Sequence, residues 1–164
     1  MTGSLGRSER QREGEIGRQT LSWITGEDDD WIKSLIQESH KAKEFSYCPY
    51  SQLRVGSVLL TEDGKIFTGC NVENACFYLG LCAKRTTINK AVSEGYRKFK
   101  AIAVSSDLED WVIPPCGTCQ QVIREFGDIP VFMTRVDGSY TMMTLEELLP
   151  LSWGAEYLKK QETD

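Results

Sequence analysis

Between residues 28 and 150 the chain switches repeatedly between helical and strand periodicity, and this alternation limits the fold more than any other feature. Ile32, Leu35, Ile36 and Ser39 recur at helical spacing behind Asp28, Asp29 and Asp30, which offer N-caps and suit the positive end of the helix dipole. Val55 to Thr61 is β-rich, Glu62-Asp63-Gly64 reads as a turn, and Lys65 to Gly69 as the returning strand. From about Cys82 a helical stripe runs through Ile88, Ala91 and Val92, with Gly95 as its stop. Ala101 to Ser105 reads as a short buried strand. Cys119, Val122, Ile123 and Phe126 fall at i, i+3, i+4 and i+7, a further helix closed by Gly127. Pro130 to Thr134 and Tyr140 to Thr144 are strands around an Asp137-Gly138 turn. Thr144 and Glu147 then make a capping box for a short helix that Pro150 ends. This order predicts an α/β layered domain, one mixed five-stranded sheet covered by helices.

At 164 residues the chain has room for one domain with a full core. Its first twenty residues hold only Met1, Leu5 and Ile16 as apolar side chains, too little burial to offset chain entropy. We therefore expect a disordered extension over 1–27, the domain over 28–155 and a tail over 156–164. Nothing repeats at a fixed period, which argues against a solenoid. A formal charge of −5 disfavours nucleic acid as a partner, because phosphate contacts need clustered Lys and Arg. No apolar run approaches the ~18 residues of a membrane span, and the polar N-terminus lacks a signal-peptide stretch. The expectation is a soluble cytoplasmic protein without membrane contact.

Six cysteines and a single histidine remain to be placed. Disulfides would suit the even count but lack an export signal. Buried packing thiols are the plain reading for Cys48, Cys70 and Cys76. A metal site is the third reading. Pro115-Cys116-Gly117-Thr118-Cys119 sets a C-x-x-C at the mouth of a helix, where backbone N–H groups and the dipole favour thiolate. Cys82 opens another predicted helix, so two helix N-termini presenting one and two sulfurs can converge on zinc and leave its fourth position open. His40, one turn beyond Ile36, reads as structural or surface rather than as a ligand.

Several segments together resemble the small homotetrameric cytidine deaminases of pyrimidine salvage. They are Tyr47-Cys48-Pro49-Tyr50-Ser51, Gly69-Cys70-Asn71-Val72-Glu73-Asn74-Ala75-Cys76, Cys82-Ala83-Lys84-Arg85-Thr86 and Pro115-Cys116-Gly117-Thr118-Cys119. Ala91-Val92-Ser93-Glu94-Gly95-Tyr96 and Leu148-Leu149-Pro150 match as well, and the pattern looks closest to the animal enzymes. The resemblance implies a cytidine-deaminase-like domain in which Cys82, Cys116 and Cys119 hold Zn²⁺ for attack by water at C4 of cytosine. It implies that Asn71 and Glu73 bind the ribose hydroxyls, although a plain turn after the hairpin would also use Asn. Leu53 and Ala83 would contact the base, and Arg85 would hydrogen-bond the zinc thiolates. Trp153 matches a phenylalanine that in the family reaches a neighbouring subunit's site.

The pattern breaks at one decisive position. In the family the residue two after the first ligand is a glutamate that shuttles protons between the attacking water, the ring and the leaving amine; here it is Lys84. An ammonium has three donors and no acceptor. Milder departures are Leu53 for a phenylalanine, Arg54 for a proline, Phe77-Tyr78 for Tyr-Pro and Thr87 for an alanine. The implied activity is zinc-dependent deamination of cytidine and deoxycytidine with impaired turnover. The alternative is an inactive zinc- and nucleoside-binding member acting as a binding or hetero-oligomeric subunit.

Overall fold

A computed structural model describes residues 29–158. The extension expected over 1–27 lies outside these residues, as does the tail beyond Leu158; the tail's first residues belong to a 3-10 turn, Ala155–Leu158. Helix α1 (Asp29–Ala42) is followed by the hairpin β1 (Val55–Thr61) and β2 (Ile66–Cys70), then α2 (Ala83–Ser93) and β3 (Phe99–Ser106). Helix α3 (Gly117–Arg124), β4 (Pro130–Thr134), β5 (Tyr140–Thr144) and the single turn α4 (Leu145–Leu148) complete the order expected from the sequence.

The described strands form one five-stranded sheet in the order β2-β1-β3-β4-β5. Strands β3 and β4 run parallel and every other pair antiparallel, so the sheet is mixed. Side chains alternate between the two faces of a strand. Leu59, Ile102 and Val131 stand in register on one face, where Ile88 and Ala91 of α2 and Ile123 of α3 cover them. Val58, Ala103 and Phe132 stand in register on the other, under Ile32, Leu35 and Ile36 of α1. A sheet buried on both faces explains why β1 and β3 read as nearly continuous apolar runs.

Strand ends differ modestly from expectation. Strand β3 begins two residues early because Phe99 is buried against Phe126, ring centroids 5.1 Å apart. Phe126 itself lies beyond the end of α3, although its ring still packs on the core. The capping box is formed: Thr144 Oγ1 accepts from the Glu147 N–H, and the Glu147 carboxylate accepts from the Thr144 N–H. Gly56 lets α1 approach β1 closely, since a Cβ there would stand 2.0 Å from the Ser39 carbonyl oxygen.

Candidate metal centre and binding cavity

Cys82 is the N-cap of α2 and Cys116 the N-cap of α3, and neither side chain makes a capping hydrogen bond. Both sulfurs are thereby free to point away from their helices. Cys119, one turn into α3, is buried. The Cys116 sulfur lies 3.9 Å from that of Cys82 and 3.4 Å from that of Cys119. All three fall within 4.8 Å of one another. Zn–S bonds of about 2.3 Å in tetrahedral geometry require sulfurs roughly 3.8 Å apart, so the trio fits zinc with small adjustments.

The electrostatics around the sulfurs favour a thiolate at Cys82. The Cys82 thiol is pulled down to about 5, chiefly by the Cys119 thiol beside it, then by the Arg85 guanidinium and the charge of Lys84. Cys119 is pushed up by the same pairing and by burial. Arg85 Nη2 donates to the Gly80 carbonyl at 3.3 Å and lies 3.9 Å from the Cys82 sulfur. Its buried Nε has no hydrogen-bond partner among the described residues.

A cavity of about 750 Å³ opens beside the sulfurs, and Leu53, Asn71, Glu73, Ala83, Lys84 and Arg85 all line it. Six of the sequence-predicted residues therefore meet in one place with Cys82 and Cys116. Asn71 closes the cavity wall: its Oδ1 accepts from the Val55 N–H and its Nδ2 donates to the Leu53 carbonyl, both at 2.9 Å. Glu73 Oε1 accepts from the N–H groups of Tyr50 and Ser51 at 3.0 and 3.1 Å, and the Ser51 contacts hold its carboxyl below the ordinary range. Ala83 is fully buried. Lys84 is only 4% exposed, an unusual degree of burial for a lysine.

Other candidates fall elsewhere. Trp153 is exposed, stacks on Tyr157 and does not line the cavity of its own chain. Tyr78 is 93% exposed, so no tyrosine hydroxyl replaces one at the cavity from that position; Phe77 lines it instead, edge-on to Tyr50. The Thr87 hydroxyl is buried and donates to the Ala83 carbonyl at 2.8 Å. His40 pairs with Thr134 Oγ1 at 3.3 Å, away from the sulfurs, and burial lowers its pKa. All six cysteines are free thiols. The packing reading fails for Cys76, which is exposed: it follows the Asn74 turn, whose Oδ1 accepts the Cys76 N–H, and points to no core. Cys48 and Cys70 are half-buried.

Sequence reasoning missed Ile113 and Pro114, because irregular segments carry no periodicity to read, whereas Tyr50 and Phe77, which also line the cavity, belong to segments it singled out. It also missed the anchoring role of Arg54. That guanidinium grips Asp107 at 2.8 and 3.1 Å and reaches Glu44 at 2.9 Å. No helix among the described residues is long and apolar enough to cross a membrane.

Comparison with known proteins agrees with this geometry. The profile of the family described as "Cytidine and deoxycytidylate deaminase zinc-binding region" matches residues 29–134. A cytidine deaminase of Sporosarcina psychrophila is 47% identical over 129 residues, 77% of this chain and 94% of that protein. A probable cytidine deaminase of Dictyostelium discoideum is 46% identical, covering 81% of this chain and 91% of the other. The crystal structure of cytidine deaminase from Burkholderia pseudomallei superposes with a TM-score of 0.71 at 42% identity, over 73% of this chain and 97% of that one.

Proposed function

Because the chain belongs to the cytidine and deoxycytidylate deaminase zinc-binding family, we propose that it holds zinc at Cys82, Cys116 and Cys119 and takes a cytosine nucleoside, cytidine or deoxycytidine, into the adjoining cavity. Hydrolytic deamination to the uracil nucleoside is its chemistry, slowed by Lys84. The observation that carries this reading is the opening of a nucleoside-sized cavity onto Cys82 and Cys116, two of the three clustered sulfurs, with Lys84 buried in its lining.

Zinc supplies, when bound, a Lewis-acid position that activates water for attack at C4. The chain's own residues do the rest. Three thiolates leave the metal centre with a charge of about −1 before water is counted, and Arg85 beside Cys82 offsets it. Leu53 and Ala83 bound the base, and Asn71 and Glu73 take the ribose hydroxyls with the lone pairs and N–H that backbone groups leave unused. At Lys84 the chemistry stalls: an ammonium cannot accept a proton from water, and acid–base assistance worth ~10²–10⁴-fold is missing. The same burial favours a second reading, a zinc- and nucleoside-binding subunit without turnover.

By the same resemblance we assign a homotetramer of the cytoplasm serving pyrimidine salvage, with Trp153 completing a neighbour's cavity. The exposed apolar strip Phe77, Tyr78 and Leu79 supports an assembled state.

One experiment separates these readings. Bound zinc is quantified and cytidine loss followed by ultraviolet absorbance for the natural chain and for Lys84→Glu. We expect stoichiometric zinc in both and a gain of about 10²-fold or more in the variant. Robust and equal turnover by both sinks the impairment; absence of zinc sinks the site.

A further inference from the structure

We infer that Gln121 and Arg124 are positioning residues of the metal centre: they strap the segment 152–156 onto α3 and so fix where that helix holds the sulfurs of Cys116 and Cys119. The inference rests on the trio being the zinc site proposed above and concerns what keeps it in place.

The metal-bearing end of α3 has little of its own to hold it. The chain reaches it through residues 107–116, which contain no helix or strand. Cys116, Gly117 and Thr118 are exposed, and the Cys116 N-cap makes no capping hydrogen bond. Cys119 and Ile123 are buried, but burial is non-directional: it keeps the helix on the sheet without fixing its slide or its turn. A zinc site is stricter. Its distances tolerate about 0.2 Å, and here the sulfurs come from two different helices. A slide of α3 by half a residue, about 0.75 Å, would exceed that tolerance.

The far end of the helix supplies the missing restraint. Gln121 Nε2 donates to the Trp153 carbonyl at 3.0 Å, Arg124 Nε donates to Ser152 Oγ at 2.8 Å, and the Arg124 guanidinium pairs with Glu156. These bonds are directional and leave the helix at two positions, so together they oppose both sliding and rotation. What they grip is firm. The segment follows α4, whose Leu145 is fully buried in the same core as Ile123. Trp153 stacks on Tyr157, ring centroids 5.1 Å apart, and the Tyr157 N–H donates to the Gly154 carbonyl at 3.2 Å. Two backbone positions are specialised for the arrangement. Leu151, exposed, takes left-handed backbone at φ 53°, which few non-glycine residues adopt, where the chain turns back to α3. Gly154 is buried against the clasp, and a Cβ there would stand 2.7 Å from Arg124 Nη2. Neither Gln121, Arg124 nor the segment they hold lines the cavity, so α3 is what links them to the site.

The test measures the metal itself. The full chain, Arg124→Met, which keeps bulk and loses the donors, and Arg124→Lys each compete with a chromophoric chelator for zinc. Cobalt(II) then replaces zinc for visible spectra, whose bands follow the geometry of the thiolates. Arg124→Met should bind zinc about tenfold more weakly, the scale of loss when groups that orient metal ligands are removed, and should alter the cobalt bands. Arg124→Lys, which can still pair with Glu156, should recover part of the loss. A merely structural clasp would lower the melting temperature of the metal-free chain and leave zinc affinity and the cobalt spectrum as they are; that result overturns the inference. Should Arg124→Met fail to fold, Gly154→Ala crowds the same ion pair from outside α3 and should reproduce the loss, and an unchanged zinc affinity there overturns the inference equally. A natural chain that binds no zinc sinks the proposed function, and this inference with it.

Discussion

Lys43 shows what one charged residue costs when the fold removes it from water. Its side chain is 8% exposed; Nζ donates to the Ser106 carbonyl and pairs with Asp107, each at 3.1 Å. Asp107 in turn holds Arg54, and the Arg54 guanidinium, followed by Lys43, keeps the Asp107 carboxyl below its ordinary value of 3.8. Because the folded state favours the carboxylate, the pairing stabilises fully above the unfolded value and is lost as pH falls through the lowered folded one. Asp107→Asn should therefore melt lower at neutral pH, by about 2 kcal/mol, since it strands a buried ammonium. In melts run against pH, the gap to the natural chain should be full above about pH 4 and close below it. Lys84 has no carboxylate paired with it among the described residues, although it is 4% exposed.

Elements carry a different kind of constraint, in which backbone meets backbone. Gly56 in β1 faces α1, and an added Cβ would meet the Ser39 carbonyl oxygen at 2.0 Å and the Lys43 nitrogen at 2.6 Å. Neither atom belongs to a movable side chain. Gly56→Ala should cost about 3 kcal/mol, at the upper end of overpacking, and calorimetry should show melting lowered by roughly 6–12 °C. Arg54 works from the segment between helix and sheet. Leu53 and Val55 line the cavity on either side of it, while Asp107 opens the segment that carries Ile113, Pro114 and Cys116. Arg54→Ala should weaken nucleoside binding several-fold in a calorimetric titration with cytidine while zinc content stays unchanged. The elements themselves were legible because composition and punctuation specify them: β1, β4 and β5 run where β-rich stretches bounded by turn residues predict them. The segments between them were not, since Ile113 and Pro114 join Cys82 and Cys116 in one cavity lining only through tertiary folding.

For the molecule as a whole, the sequence implied a mixed sheet but not its strand order, because nothing local states that β1 sits between β2 and β3 or that β3 and β4 run parallel. The cysteine spacing was legible for the opposite reason: two helix N-termini position the three sulfurs, α2 that of Cys82 and α3 those of Cys116 and Cys119. Zinc held by Cys82, Cys116 and Cys119 would join α2 to α3 and should bind the folded chain far better than the unfolded one. At a free concentration a hundredfold above its dissociation constant it should add about 2.7 kcal/mol. Removing it with a chelator should lower the melting temperature by roughly 5–10 °C, readdition should restore it, and Cys116→Ser should abolish the response. The sheet that separates the two packed layers has an optical consequence. Trp31, on α1, lies against Phe132 with Lys100 over its ring, whereas Trp111 and Trp153 are already in water. Among these three, Trp31 is the one whose fluorescence watches α1 leave the sheet. A fluorescence midpoint that parts from that of zinc release would reveal the two layers coming undone one at a time.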